Sequence, residues 1–140
     1  MDLILWRHAD ADSRGFDLAR ELTPKGREQA ARVAAWLRQH LPEDYALLVS
    51  PAVRAQQTAQ ALKSEFKTVQ ALAPGASVEA ILQAAGNKGS VIVVGHQPDL
   101  GKAIAYLLCG QERDWGVDKG ALWWISGGKF VRAVISPDLL

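Results

Sequence analysis

Three short apolar runs, each ending in a polar motif and each followed by residues at helical spacing, constrain this chain more than any other feature. Leu3-Ile4-Leu5-Trp6 runs into Arg7-His8-Ala9-Asp10. Tyr45-Ala46-Leu47-Leu48-Val49 runs into Ser50-Pro51-Ala52-Val53-Arg54, and Val91-Ile92-Val93-Val94 into Gly95-His96-Gln97-Pro98. Unbroken apolar runs of this length read as strands buried on both faces, and strand-then-helix repeated along a chain predicts parallel strands. In open sheets of that kind, ligands bind outside the carboxyl ends of the strands. Arg7, His8, Arg54 and His96 all fall just past such ends. Arg7-His8 alone reads equally well as a surface turn; the repetition favours a site. Four cationic or near-cationic groups are expected to meet around an anion.

The rest of the chain fills in one α/β/α domain over residues 1–140. The polar stretch from Ala11 to Glu21 is a loop of about ten residues, longer than most connections, which hints at function. Thr23-Pro24 supplies an N-cap and a first-turn proline, and Ala30, Val33, Ala34, Leu37 and Leu41 follow at helical spacing until Pro42. Ser50-Pro51 repeats the device, which places Arg54 about one turn inside a second helix carrying Ala55, Thr58, Ala59, Leu62 and Phe66. From there its side chain leans back over the helix start, where amide hydrogens and the dipole also favour an anion.

Lys67 to Leu72 reads as a short strand, and Ser77 caps a modest helix through Ala85. Leu100 to Leu108 forms a clear amphipathic helix stopped by Gly110. Residues 111–120 are polar around Trp115, which is read as an aromatic tucked under its loop or as a docking contact. Ala121–Ile125 and Lys129–Ile135 are two strands joined at Gly127-Gly128. Five or six strands, mostly parallel, and four helices on both faces of the sheet are the expectation.

Composition excludes several classes. A net charge of +1 and scattered basic residues offer no field for nucleic acid or an acidic membrane. No segment has membrane-spanning length, and the start lacks a leader's basic and hydrophobic regions, so a soluble, cytoplasmic protein, with a monomer favoured, is expected. The single Cys109 cannot form an internal disulfide, and at the end of an apolar helical pattern it is expected to be a buried structural thiol.

Two arginines and two histidines suit phosphoryl chemistry. Guanidinium groups match phosphate oxygens with forked hydrogen bonds, and a neutral histidine can attack phosphorus. His8, at the end of the most buried-looking strand, is the expected nucleophile, and His96 the expected donor to a phosphate oxygen. His40 ends a helix and reads as an exposed residue. For a proton donor to the leaving group, Asp10 is the best placed of Asp10, Asp12, Asp17 and Glu21. Arg20 can reach the phosphate or a partner from the loop, or lie on the surface. A rival reading takes His8, Asp10, Asp12 and His96 as metal ligands, but Arg7 and Arg54 would set positive charge beside the cation. No metal and no cofactor are expected.

Arg7-His8-Ala9-Asp10-Ala11, the stretch Arg20-Glu21-Leu22-Thr23-Pro24-Lys25-Gly26, Ser50 through Thr58, and Val94-Gly95-His96-Gln97-Pro98 together resemble the histidine phosphatase superfamily, which includes the cofactor-dependent phosphoglycerate mutases. The chain's size and the form of each motif are similar to the SixA-type phosphohistidine phosphatases. The resemblance implies a phosphoglycerate mutase-like fold, a phosphorylated His8, a phosphate pocket completed by Arg7, Arg54 and His96, and no metal. One departure is Ala9, where the family usually has glycine. Residues 67–90 leave no room for the large cover found in mutases and sugar-phosphate phosphatases of the superfamily. An open site suits a phosphohistidine on a signalling or phosphotransfer protein. The alternatives are a phosphomonoesterase for small molecules and a non-catalytic module binding a phosphorylated ligand.

Overall fold

Strand β1 (Asp2–Arg7) lies near the middle of the molecule because its side chains are apolar on both faces. The computed structural model describes residues 1–140. In it, β1 pairs in parallel with β4 (Ser90–Gly95), and β4 with β2 (Ala46–Val49). The short β3 (Lys67–Thr68) extends that side, again in parallel. On the other side, β5 (Leu122–Ser126) and β6 (Phe130–Ile135) are antiparallel additions, so the order is β3-β2-β4-β1-β5-β6.

The pleat sorts the core into two layers. Leu3, Leu5, Val91 and Val93 pack under α3 (Val78–Ala85) and α4 (Asp99–Cys109). Ile4, Trp6, Ile92 and Val94 pack under α1 (Pro24–His40) and α2 (Val53–Gln60). Complete burial of Ile4, Leu5 and Trp6 contributes roughly 1.5–3 kcal/mol each, which fixes the strand that carries Arg7 and His8. The mostly parallel three-layer α/β/α arrangement is the one the strand-helix repeats call for.

Local signals act where expected at several points. The Thr23 hydroxyl accepts the Gly26 N–H at 3.0 Å and Ser77 accepts the Ala80 N–H at 3.0 Å, each capping its helix. Gly127 and Gly128 have φ of 61° and 76°, the double positive that a two-residue hairpin needs.

Three expectations need correction. The strand read over residues 67–72 stops at Thr68, and Gln70–Leu72 is a 3-10 turn. Ser50-Pro51 does not open α2: Ala52 is the N-cap, and Arg54 is the second helical residue. Cys109 is exposed, because it is the last residue of α4, beyond the stripe that meets the sheet, with its thiol turned back on the Ala105 carbonyl at 3.0 Å. No helix is long and apolar enough to cross a membrane.

Candidate active site

The carboxyl end of β1 is clamped from both sides. Trp6 Nε1 donates to the Gly120 carbonyl at 2.9 Å, the His8 N–H to the Gly95 carbonyl at 3.1 Å, and the Gly120 N–H back to the His8 carbonyl at 3.1 Å. One residue on, the Ala9 N–H donates to Thr58 Oγ1 at 3.0 Å, and that hydroxyl donates to the Arg54 carbonyl at 2.8 Å. The main chain after His8 is therefore tied to the first turn of α2. Ala9 does not take a positive φ, so alanine is accommodated there without the backbone freedom of glycine.

The start of α1 closes on the same turn. Thr23 Oγ1 donates to Asp10 Oδ2 at 2.7 Å, and the Thr23 N–H to the Asp10 carbonyl at 3.1 Å. A Cβ on Gly26 would sit 1.9 Å from the Asp10 carbonyl oxygen, so only glycine permits this approach. The Asp10 carboxylate also accepts from Lys119 Nζ at 3.0 Å. The Thr23 bond first and the Lys119 bond second hold its pKa below the usual carboxylate range. Asp10 is thus ionised at neutral pH and engaged as a strut between α1 and the 111–120 loop.

Within this frame the structure brings Arg7, His8, Arg54 and His96 together. His8, Arg54 and His96 are buried, and the two imidazole centroids lie 5.2 Å apart. His8 Nδ1 lies 2.7 Å from the Ala9 carbonyl. A carbonyl only accepts, so Nδ1 carries the proton and the lone pair sits on Nε2. Burial lowers the His8 pKa to about 4; the Ala9 bond opposes this, and Arg54, Arg7 and Arg20 add to it. Burial likewise lowers His96 to about 3, with His8 and Arg54 contributing. Both rings are neutral near pH 7. The positive charge comes from the arginines alone, and the near-cationic character expected of the histidines is not present.

The arginines are gripped at their tips. Arg7 Nη1 donates to the Val117 carbonyl at 2.8 Å. Arg54 Nη1 donates to the Asp17 carbonyl at 2.7 Å, and Nη2 lies 3.4 Å from Asp17 Oδ2. Burial lowers both guanidinium pKa values, but arginine stays charged in proteins. Four buried polar side-chain atoms in the chain have no partner: Arg7 Nε, Arg54 Nε, His96 Nδ1 and Trp124 Nε1. Three of the four belong to this cluster. Leaving a buried polar atom unpaired costs about 1–3 kcal/mol, so three within one cluster of arginines and histidines suit an oxyanion ligand.

Arg20 stands at the rim. Its Nη1 donates to the Asp12 carbonyl at 2.9 Å and its Nη2 to Asp17 Oδ1 at 3.1 Å, while its charge still depresses the pKa of both histidines. His40 is exposed and stacks on Trp36 at 4.2 Å, away from the site. Trp115 is half-buried beside Trp123, and its carbonyl accepts from Gln97 Nε2 at 2.7 Å. No group of three or more histidine, cysteine or acidic side chains is arranged to hold a metal. Sequence reasoning missed Ser50 and Thr58 as site residues, and it weighed Asp17 only as a proton donor. Ser50 Oγ lies 2.7 Å from His96 Nε2, Asp17 holds Arg54, and Thr58, which fits the apolar spacing of α2, accepts the Ala9 N–H.

Comparison with known proteins bears on this geometry. The family model for the histidine phosphatase superfamily (branch 1) matches residues 3–77. The phosphohistidine phosphatase SixA of Escherichia coli (strain K12) is 34% identical over 123 residues, covering 79% of this chain and 76% of that protein. The phosphohistidine phosphatase SixA homolog of Haemophilus influenzae is 31% identical over 126 residues, covering 76% and 77%. A structure of the protein histidine phosphatase SixA complexed with tungstate superposes with a TM-score of 0.86 at 29% identity, over 99% of both chains.

Proposed function

Since the chain belongs to the histidine phosphatase superfamily (branch 1), we propose that it removes the phosphoryl group from phosphohistidine on a protein, through a phosphorylated His8 and without a metal. It is a phosphatase, which sets aside the reading as a non-catalytic binding module. The observation that carries the finer reading is that three buried side-chain nitrogens without partners, Arg7 Nε, Arg54 Nε and His96 Nδ1, belong to the same cluster as a histidine whose Nε2 lone pair is free. That a SixA structure holds tungstate, a tetrahedral oxyanion like phosphate, supports it.

In the first step His8 Nε2 attacks phosphorus, the new N–P bond forms, and the N–P bond to the substrate imidazole breaks. The departing ring nitrogen takes a proton from solvent. In the second step water supplies hydroxide to phosphorus and a proton to solvent, and His8 is released. Arg7 and Arg54 offset charge on the equatorial oxygens throughout. An imidazole leaving group has little need of a carboxylic acid, in keeping with an ionised Asp10. Residues 67–90 pack on the sheet and α4 as β3, a 3-10 turn and α3, which supports an uncovered site reachable by a side chain on another protein.

The test compares turnover of a phosphohistidine-carrying phosphotransfer protein with a panel of small phosphomonoesters, each with and without EDTA. Preference for the phosphoprotein, unchanged by EDTA, is expected. Preference for phosphomonoesters would assign a small-molecule phosphatase, and loss of turnover in EDTA would overturn metal independence.

A further inference from the structure

Two neutral histidines about 5 Å apart present a problem of chemical identity: each ring carries one proton and one lone pair, and only one ring is to attack phosphorus. For His8 the Ala9 carbonyl settles the tautomer. For His96 the partner is Ser50 Oγ at 2.7 Å, a group able to donate or accept. Ser50 is fully buried, and its own hydrogen bonds decide which it does.

Ser50 Oγ already accepts the Ala52 N–H at 3.2 Å. The one other polar atom bonded to it is His96 Nε2. If Nε2 carried the proton, the Ser50 hydroxyl would accept twice and its own hydrogen would be buried without an acceptor. If the hydroxyl donates to the Nε2 lone pair, every polar group of Ser50 is satisfied. The ring proton of His96 then lies on Nδ1, the atom that is buried and has no partner in the protein. Ser50 itself is held in place: its N–H donates to the Val94 carbonyl at 3.1 Å, and its carbonyl accepts from Gln56 Nε2 at 2.8 Å.

We infer that Ser50 is a positioning residue which locks His96 as the Nδ1–H tautomer, making that ring a hydrogen-bond donor to the phosphoryl oxygens and denying it the lone pair that would compete with His8. The hydroxyl does for His96 the opposite of what the Ala9 carbonyl does for His8. One leaves a free lone pair and the other a free N–H, so the two rings take complementary roles. The inference rests on the phosphoryl-transfer reading of the site, but its primary readout needs no substrate.

Long-range proton–nitrogen correlation spectra of protein labelled with 15N-histidine, at pH 7, report the tautomer of each of the three histidines. In the wild type, His96 is expected to show a protonated Nδ1 and an unprotonated Nε2, with the same nitrogens in His8. A protonated Nε2 on His96 would overturn the inference, whatever the activity. In Ser50→Ala, His96 Nε2 should gain proton occupancy and kcat should fall roughly tenfold, the effect of losing one oriented donor, with KM within about twofold. Ser50→Thr, which keeps the hydroxyl, should restore both the spectrum and kcat. An unchanged His96 tautomer in a folded Ser50→Ala protein, or a loss confined to KM, would refute it. Should neither variant fold, the wild-type spectrum alone decides.

Discussion

Gly26→Ala tests how the fold holds His8. The added Cβ would meet the Asp10 carbonyl oxygen at 1.9 Å and the Asp10 carbonyl carbon at 2.9 Å, both main-chain atoms that cannot swing aside. A carbon–oxygen contact needs roughly 3.3 Å, so α1 and the turn after His8 must part by about 1.4 Å. That movement pulls on Thr23, whose hydroxyl and N–H both fasten to Asp10, and on Ala9, whose N–H is fixed to Thr58. Overpacking of this kind costs about 1–3 kcal/mol, and alanine's better helix propensity returns up to about 1 kcal/mol. A net loss near 1–2 kcal/mol corresponds to a fall in Tm of about 5 °C for a chain of this size. Displacing a reacting atom by about 1 Å costs on the order of a hundredfold in rate. Thermal melts and initial rates on a phosphohistidine substrate, compared with Gly86→Ala, separate the two effects. Gly86 has φ of 70° at the end of α3 with nothing near its Cβ position, so its variant should lose comparable stability and keep its rate. A Gly26→Ala protein with wild-type Tm and a rate within threefold would refute the argument that this contact sets the position of His8.

Thr58→Val removes the acceptor of the Ala9 N–H inside a fully buried position and should cost about 1–3 kcal/mol in a denaturant melt, with a larger loss of rate than of stability. Asp10→Asn should keep kcat within about threefold, because it gives up a half-exposed ion pair with Lys119 worth at most about 1 kcal/mol; a hundredfold loss would restore Asp10 as the proton donor. The folded-state pKa values of His8 and His96, about 4 and about 3, lie below the unfolded value of 6.5, so the unfolded chain binds more protons on acidification. Stability should therefore be unaffected by these groups above pH 6.5 and fall from there down to about pH 4 for His8 and about pH 3 for His96. Urea melts across pH 3–8 check this, and His8→Gln and His96→Gln should each flatten the slope.

The parts of the fold legible in the sequence are those whose cause is local or periodic. Leu3 to Trp6 must be buried on both faces, and Thr23-Pro24 and Gly127-Gly128 act on their immediate neighbours. The same local reasoning fails at Ser50-Pro51, which matches Thr23-Pro24 as a dipeptide. There the hydroxyl is taken by His96, 46 residues away, and α2 starts at Val53. Asp17 looks like any loop acid until the fold sets it on Arg54, 37 residues later. Thr58 fits the apolar spacing of α2 because it is indeed buried, but its hydroxyl serves the turn after His8. At Cys109 the helical period continues past the point where α4 still faces the sheet. The four side chains the structure brings together could be named from strand ends alone, whereas the groups that orient them are set by tertiary contacts without sequence spacing.

Whether His8 carries the phosphoryl group decides the mechanism proposed for this phosphatase. Rapid acid-free quenching of the enzyme during turnover of a 32P-labelled phosphohistidine protein, followed by peptide mapping, reads this directly. The predicted result is acid-labile, alkali-stable label on the peptide containing His8, absent from His8→Ala and retained in His96→Gln. Label on His96, or undiminished hydrolysis by His8→Ala, would contradict it.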